Sequence, residues 1–219
     1  MIAITSLPRA LRLKRRHDAL ITIEDPGARK TLRFHRTPHP DQLVLKFEDV
    51  DAHDDGIAGP HEHHVEAAIR FAREHAGGSL LVHCHAGVCR STAVGLAVMA
   101  DRLGPGGEEE AVRRLRLSNP DAVPNLLVLR MADGFLERGG NLFDAWMAVE
   151  RGCTRLAAYR DKKARLVRDA RHMFAGRPDQ GYYTAARCAP RSRSLSIGFA
   201  PPEGGVVPQG ARTNAGPSS

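Results

Sequence analysis

The stretch His83-Cys84-His85-Ala86-Gly87-Val88-Cys89-Arg90-Ser91 constrains this chain more than any other. It joins an apolar run, Leu80-Leu81-Val82, to a helix-like run over 91–103. A short buried strand followed directly by a tight loop and a helix places Cys84 at the carboxyl edge of a sheet. The loop then curls with its amides converging, and the positive end of the next helix is aimed at the same point. Such a concave nest of N–H groups suits a tetrahedral anion. Cys84 lies at its floor and Arg90 at its rim. The amides of His85, Ala86, Gly87, Val88 and Cys89 form its wall.

Each residue type has a chemical reason to be there. Converging amides, a helix N-terminus and a guanidinium favour a thiolate over a thiol, and a thiolate attacks phosphorus directly. Arg90 offers a planar fork for two phosphoryl oxygens. Gly87 permits a backbone angle that a side chain resists. Ser91 can cap the helix and donate a hydrogen bond to the departing sulfur. His83, just before the nucleophile, is expected to be buried and to orient the loop.

The rest of the chain supplies a frame for this unit. Apolar runs at 2–5, 19–23, 43–47 and 80–83 have strand length. Amphipathic or apolar runs at 61–75, 91–103, 108–118 and 123–138 have helix length, and 6–11 carries a cap residue and an early proline. Strands alternating with helices imply an α/β fold: a mostly parallel sheet of four to five strands flanked by helices. Ligands bind beyond the carboxyl ends of such strands, where Cys84 falls. Trp146 is expected in the core.

Charge divides the chain. Residues 1–149 hold 19 Lys/Arg against 20 Asp/Glu, whereas 150–219 hold 13 against 5, so the net +7 belongs to the C-terminal part. The expected organisation is a catalytic domain over 1–150, a basic helical extension over 151–175 and a disordered tail over 176–219, rich in Pro, Gly, Ser and Arg. The basic part offers a possible surface for an anionic partner. No run is long and apolar enough for a membrane span. The scattered cysteines 84, 89, 153 and 188 do not make a disulfide scaffold, and a reactive thiolate suits a reducing compartment, so a cytoplasmic location is expected. His53, His61, His63 and His64 lack helical zinc spacing, so neither metal nor cofactor is expected.

The segment His-Cys-x-Ala-Gly-x-x-Arg-Ser-Thr-Ala over 83–93 resembles the phosphate loop of cysteine-dependent protein tyrosine and dual-specificity phosphatases. Leu45-Lys-Phe-Glu-Asp49 upstream, with Asn119-Pro-Asp-Ala-Val-Pro-Asn125 and Ala132-Asp133 downstream, is most similar to a small bacterial group of predicted protein tyrosine phosphatases. The resemblance covers about residues 1–145. It implies hydrolysis of phosphomonoesters on a phosphorylated protein or small phosphate ester, through a phosphocysteine on Cys84. Such a reaction needs an acid for the leaving oxygen. The residues alone leave Asp49, Asp51, Asp54 and Asp55 as candidates on one loop. The resemblance favours Asp49, which directly follows a strand as the family's aspartate does, with Asp51 next.

Cys89 stands where the family usually has serine or glycine. Low-molecular-weight tyrosine phosphatases carry a cysteine at the corresponding place, which pairs with the nucleophile on oxidation. That likeness implies a redox partner role for Cys89 and keeps a low-molecular-weight-type phosphatase or arsenate reductase as an alternative. Those proteins place the loop near the N-terminus, whereas 83 residues precede Cys84 here. A second alternative is a phosphate-binding module with little turnover.

Overall fold

The computed structural model describes residues 1–27, 39–54, 56–174 and 181–185. Five strands form one sheet in the order β1-β4-β2-β3-β5. They are β1 (Ile2–Ser6), β2 (Ala19–Glu24), β3 (Gln42–Lys46), β4 (Leu80–Cys84) and β5 (Tyr182–Ala185). The first four are parallel, and β5 adds antiparallel to β3. Parallel neighbours need crossover connections, and helices supply them. The α/β class expected from the alternation is the observed one.

Alternation within the strands decides which side each helix covers. On β4, Leu80, Val82 and Cys84 face a core shared with α2 (Glu62–Glu74), α3 (Arg90–Leu103), α4 (Glu108–Ser118), α5 (Leu126–Phe135) and α6 (Asn141–Arg151). Leu81 faces the other side, with Leu20, and packs with Leu7 and Ala10 of α1 (Leu7–Leu13). The pleat thus splits one apolar run between two cores. A Cβ on Gly95 of α3 would lie 2.2 Å from Ile4 Cδ1, so glycine lets this helix lie directly on β1.

Two element boundaries differ from the expected ones. The helix expected over 123–138 begins at Leu126, because Pro124 disfavours helical backbone before it and Asn125 takes the cap, accepting from Val128 N at 3.0 Å. A separate helix, α6, then follows Gly139 and Gly140, both at positive φ. Asp133 accepts from Gly140 N and Phe143 N, each at 2.7 Å, and so fixes the start of α6.

The basic segment forms α7 (Thr154–Asp169) and α8 (Arg171–Phe174). Leu156 of α7 is buried in the main core beside Trp146 and Leu142. Trp146 Nε1 donates to Glu150 at 2.8 Å, and Arg160 of α7 pairs with the same carboxylate at 2.7 Å. The basic helix therefore folds onto the elements before it. Part of the segment expected to be disordered also differs: Tyr182–Ala185 is the edge strand β5. Tyr182, Tyr183 and Thr184 favour strands, but four residues are too few to show a period. The remainder of 176–219 lies outside the described residues. Among the described residues, no helix is long and apolar enough to cross a membrane.

Candidate active site

Ser6 of β1 pairs with Cys84 at the last register position of β4, so the cysteine leaves the sheet where its carboxyl edge ends. The loop after it turns at Gly87, whose φ is +77°. A Cβ there would lie 2.6 Å from the backbone of Thr5 and Ser6. Glycine is required both by conformation and by this close approach.

The loop carbonyls are tied outward. His85 O accepts from Leu7 N at 3.1 Å, Val88 O from Val123 N at 3.0 Å and Cys89 O from Asn125 N at 3.3 Å. The Thr92 hydroxyl adds contacts of 2.5 Å to Val88 O and 2.8 Å to Cys89 O. With the carbonyls held out, the amide side turns toward Cys84. Gly87 N donates to Cys84 Sγ at 3.2 Å, and Ser91 Oγ lies 3.2 Å from the same sulfur. The helix cap is Cys89, without a side-chain bond. Ser91 is therefore not the cap allowed by sequence; its hydroxyl serves the sulfur. Cys84, Cys89, Arg90 and Ser91 are buried, Gly87 and Val88 half-buried, and His85 and Ala86 exposed.

His83 is buried and takes part in a chain of hydrogen bonds under the loop. Gln42 Nε2 donates to Thr22 Oγ1 at 2.8 Å, Thr22 Oγ1 meets His83 Nε2 at 2.9 Å, and His83 Nδ1 meets Cys84 O at 3.3 Å. Cys84 O can only accept, so Nδ1 carries the ring proton toward it, and Nε2 of the neutral ring accepts from the Thr22 hydroxyl. Burial pulls the imidazole down to about 4, with the bond to Cys84 O opposing.

Arg90 is also buried. Its Nη1 donates to Asp25 Oδ1 at 2.5 Å and to Phe47 O at 2.8 Å. Burial opposes its charge, but Asp25, Asp49 and Cys84 outweigh that and strengthen it. Its Nε is buried and has no hydrogen-bond partner among the described residues, which leaves that donor for an incoming oxygen. Asp25 opens the turn-forming run Asp25-Pro26-Gly27, and nothing local in the sequence links it to Arg90.

Asn125 joins the loop to the aspartates. Besides reaching Cys89 O, it donates through Nδ2 to Asp49 Oδ1 at 2.9 Å and to Val50 O at 2.8 Å. Asp49 also pairs with Lys163 Nζ at 2.6 Å. Burial alone would raise this carboxyl, but Lys163 and Arg90 hold it below the usual carboxylate range. Asp51 accepts from Leu126 N at 2.9 Å, and pairs with Arg160 at 2.9 Å and Lys163 at 3.0 Å. Asp54 pairs with Arg171 at the surface, and Asp55 lies outside the described residues. Asp49, Arg90 and Asp25 border a cavity of about 530 Å³ whose other wall is Tyr159, Lys162, Leu166 and Val167 of α7, with Met173. Arg90 and Asp25 also border a small hollow beside Cys84 and His85.

Cys89 faces α7, donating from Sγ to Tyr159 OH at 3.6 Å. Burial, reinforced by the Asp49 charge, pushes this thiol up to about 12. The rings of His61, His63 and His64 lie against one another at the start of α2. Among the described residues, no group of His, Cys, Asp and Glu is arranged to hold a metal.

No protein-family profile and no curated protein matches this chain. It is similar to several solved structures. Tk-PTP in its active form is 19% identical, with 63% of this chain and 90% of that one covered and a TM-score of 0.46. For PTPMT1 the identity is 20%, the coverage 68% and 94% and the TM-score 0.47. For human DUSP28 the values are 24%, 62%, 91% and 0.46.

Proposed function

We propose that this protein hydrolyses phosphomonoesters through a phosphocysteine, on a phosphorylated protein side chain or a small phosphate ester. The observation that carries the reading is the loop itself. Its carbonyls are tied away, Gly87 N–H and Ser91 Oγ meet Cys84 Sγ, and the buried Arg90 keeps a free Nε beside them. This arrangement supplies donors where negative charge gathers on a transferring phosphoryl group.

In the first step Cys84 sulfur attacks phosphorus, and the bond from phosphorus to the leaving oxygen breaks. Arg90 and the loop amides hold the phosphoryl oxygens, and Asp49 passes its proton to the leaving oxygen. In the second step water attacks phosphorus, Asp49 takes a proton from that water, and the sulfur–phosphorus bond breaks. Ser91 donates to the sulfur as it departs.

The cavity beside Arg90 and Asp49 has apolar walls from Leu166, Val167 and Met173 and an aromatic one from Tyr159. That lining suits an aryl phosphate better than a short alkyl one, and phosphotyrosine is the protein group of that kind. The test is turnover of matched phosphotyrosine and phosphoserine peptides, with Cys84→Ser as control. Faster loss of phosphate from the tyrosine peptide, absent in Cys84→Ser, is the expected result. Equal turnover by the parent and by Cys84→Ser would reject the reading.

A further inference from the structure

α7 lies outside the stretch that carries the resemblance, yet its Lys163 is among the closest charged groups to Asp49. Lys163 Nζ is 2.6 Å from Asp49 Oδ1 and 3.0 Å from Asp51 Oδ2, and its side chain is 9% exposed. A buried ammonium needs such partners, and each carboxylate shares it. The pair is built from both sides. Arg160, one turn earlier on α7, holds Asp51 and Glu150, so the helix cannot slide without breaking several ion pairs. Asn125 holds Asp49 from the α5 side. The groups facing Asp49 are thus Lys163 and Tyr159 from α7, Arg90 from α3, Cys89 from the loop, Asn125 from α5 and Asp51 from its own loop.

We infer that Lys163 is a positioning residue for the reaction: it sets where Asp49 sits and how readily that carboxyl holds a proton. The inference rests on the assignment of Asp49 as the acid. It also carries a cost. A proton donor tethered to an ammonium gives up its proton at lower pH, so Lys163 narrows the range in which Asp49 can protonate a leaving oxygen. The same charge favours the carboxylate that the second step needs. Lys163 therefore trades speed on poor leaving groups for speed in the return step.

Step one needs protonated Asp49, so turnover of an alkyl phosphate falls as pH rises through the Asp49 titration. An opposite charge in contact lowers an aspartate by about 1–3 units. Removing Lys163 raises the titration and moves that falling limb upward, by roughly 1–3 pH units. Aryl phosphates with good leaving groups need little protonation, and their limb stays in place.

The test compares pH–kcat profiles of the full-length parent, Lys163→Met, Lys163→Arg and Arg165→Met on an alkyl and an activated aryl phosphate. Lys163→Met is expected to shift the alkyl-phosphate limb upward by at least one unit, with KM changed less than kcat. Lys163→Arg is expected to restore the parent limb, and Arg165→Met, which removes an exposed cation of the same helix, to leave it in place. Trp146 fluorescence and thermal melts establish that each variant is folded. Asp49→Asn is profiled in parallel. If it loses activity mainly on the alkyl phosphate while Lys163→Met leaves the limb unmoved, the role of Lys163 is overturned and the acid assignment survives. If Asp49→Asn shows no dependence on leaving group, the acid assignment falls and the inference falls with it. A shift in Arg165→Met equal to that in Lys163→Met also overturns it.

Discussion

Arg90 donates to Asp25 across 65 residues, at 2.5 Å, from the start of α3 to the residue just after β2. The pair fixes the guanidinium beside the Cys84 loop while Phe47 O takes the same nitrogen. Asp25 thereby orients the group that grips the phosphoryl oxygens, and as an anion it also repels them. Asp25→Asn is expected to lower kcat roughly tenfold to a hundredfold, the usual range for a misplaced catalytic group. KM should stay level or fall, because a negative charge has left the site. Steady-state kinetics on an aryl phosphate checks this, and a variant with unchanged kcat would refute the positioning role.

α7 belongs to the folded core in this account. Leu156 is 1% exposed, and Leu156→Ala should cost about 2–5 kcal/mol, as buried leucine truncations do. A chain ending at residue 150 also loses the cations that face Asp49, Asp51 and Glu150. It should melt well below the parent and lose activity. Calorimetry of both variants measures this. An active truncated chain with the parent's melting temperature would instead make the helix an appendage.

His83 gives the fold a pH dependence of known sign. Its imidazole is held down to about 4 by burial, whereas an unfolded chain titrates near 6.5. Between those values the unfolded chain binds a proton that the folded protein does not. Stability from this group is therefore complete above about pH 6.5 and is lost as pH falls toward 4. The span amounts to about 3 kcal/mol. Denaturant melts at a series of pH values should show this slope in the parent and lose it in His83→Gln.

The same geometry bears on oxidation. A resolving cysteine attacks as a thiolate, and Cys89 is held as a thiol beside Tyr159. Peroxide should therefore inactivate the enzyme through Cys84, and recovery with reductant should be no slower in Cys89→Ser than in the parent. Peptide mapping that finds a Cys84–Cys89 link, with impaired recovery in the variant, would instead support the redox pairing implied by the low-molecular-weight phosphatases.

What the sequence revealed follows from how local each feature is. The strand, the glycine turn and the helix around Cys84 lie within one short run, so their order alone places the sulfur at the sheet edge. Asn125 was visible as part of a motif, but its threefold role depends on three carbonyl and carboxylate groups brought together by folding. Asp25 looked like a turn residue and Lys163 like one cation among many, because their partners lie 65 and 114 residues away. Charge counting separated the basic segment from the residues before it, yet two of its cations, Arg160 and Lys163, are the counter-ions of Asp49, Asp51 and Glu150. A sum over residues cannot show which carboxylate a lysine meets.

The most direct measurement is acid-quenched trapping during turnover of an aryl phosphate, followed by mass mapping of the peptides. One phosphoryl group is expected on the peptide containing Cys84, more abundant in Asp49→Asn, where the return step lacks its base, and absent in Cys84→Ser. Phosphate release by Cys84→Ser at a rate near the parent's, or a label on any residue other than Cys84, would contradict that expectation.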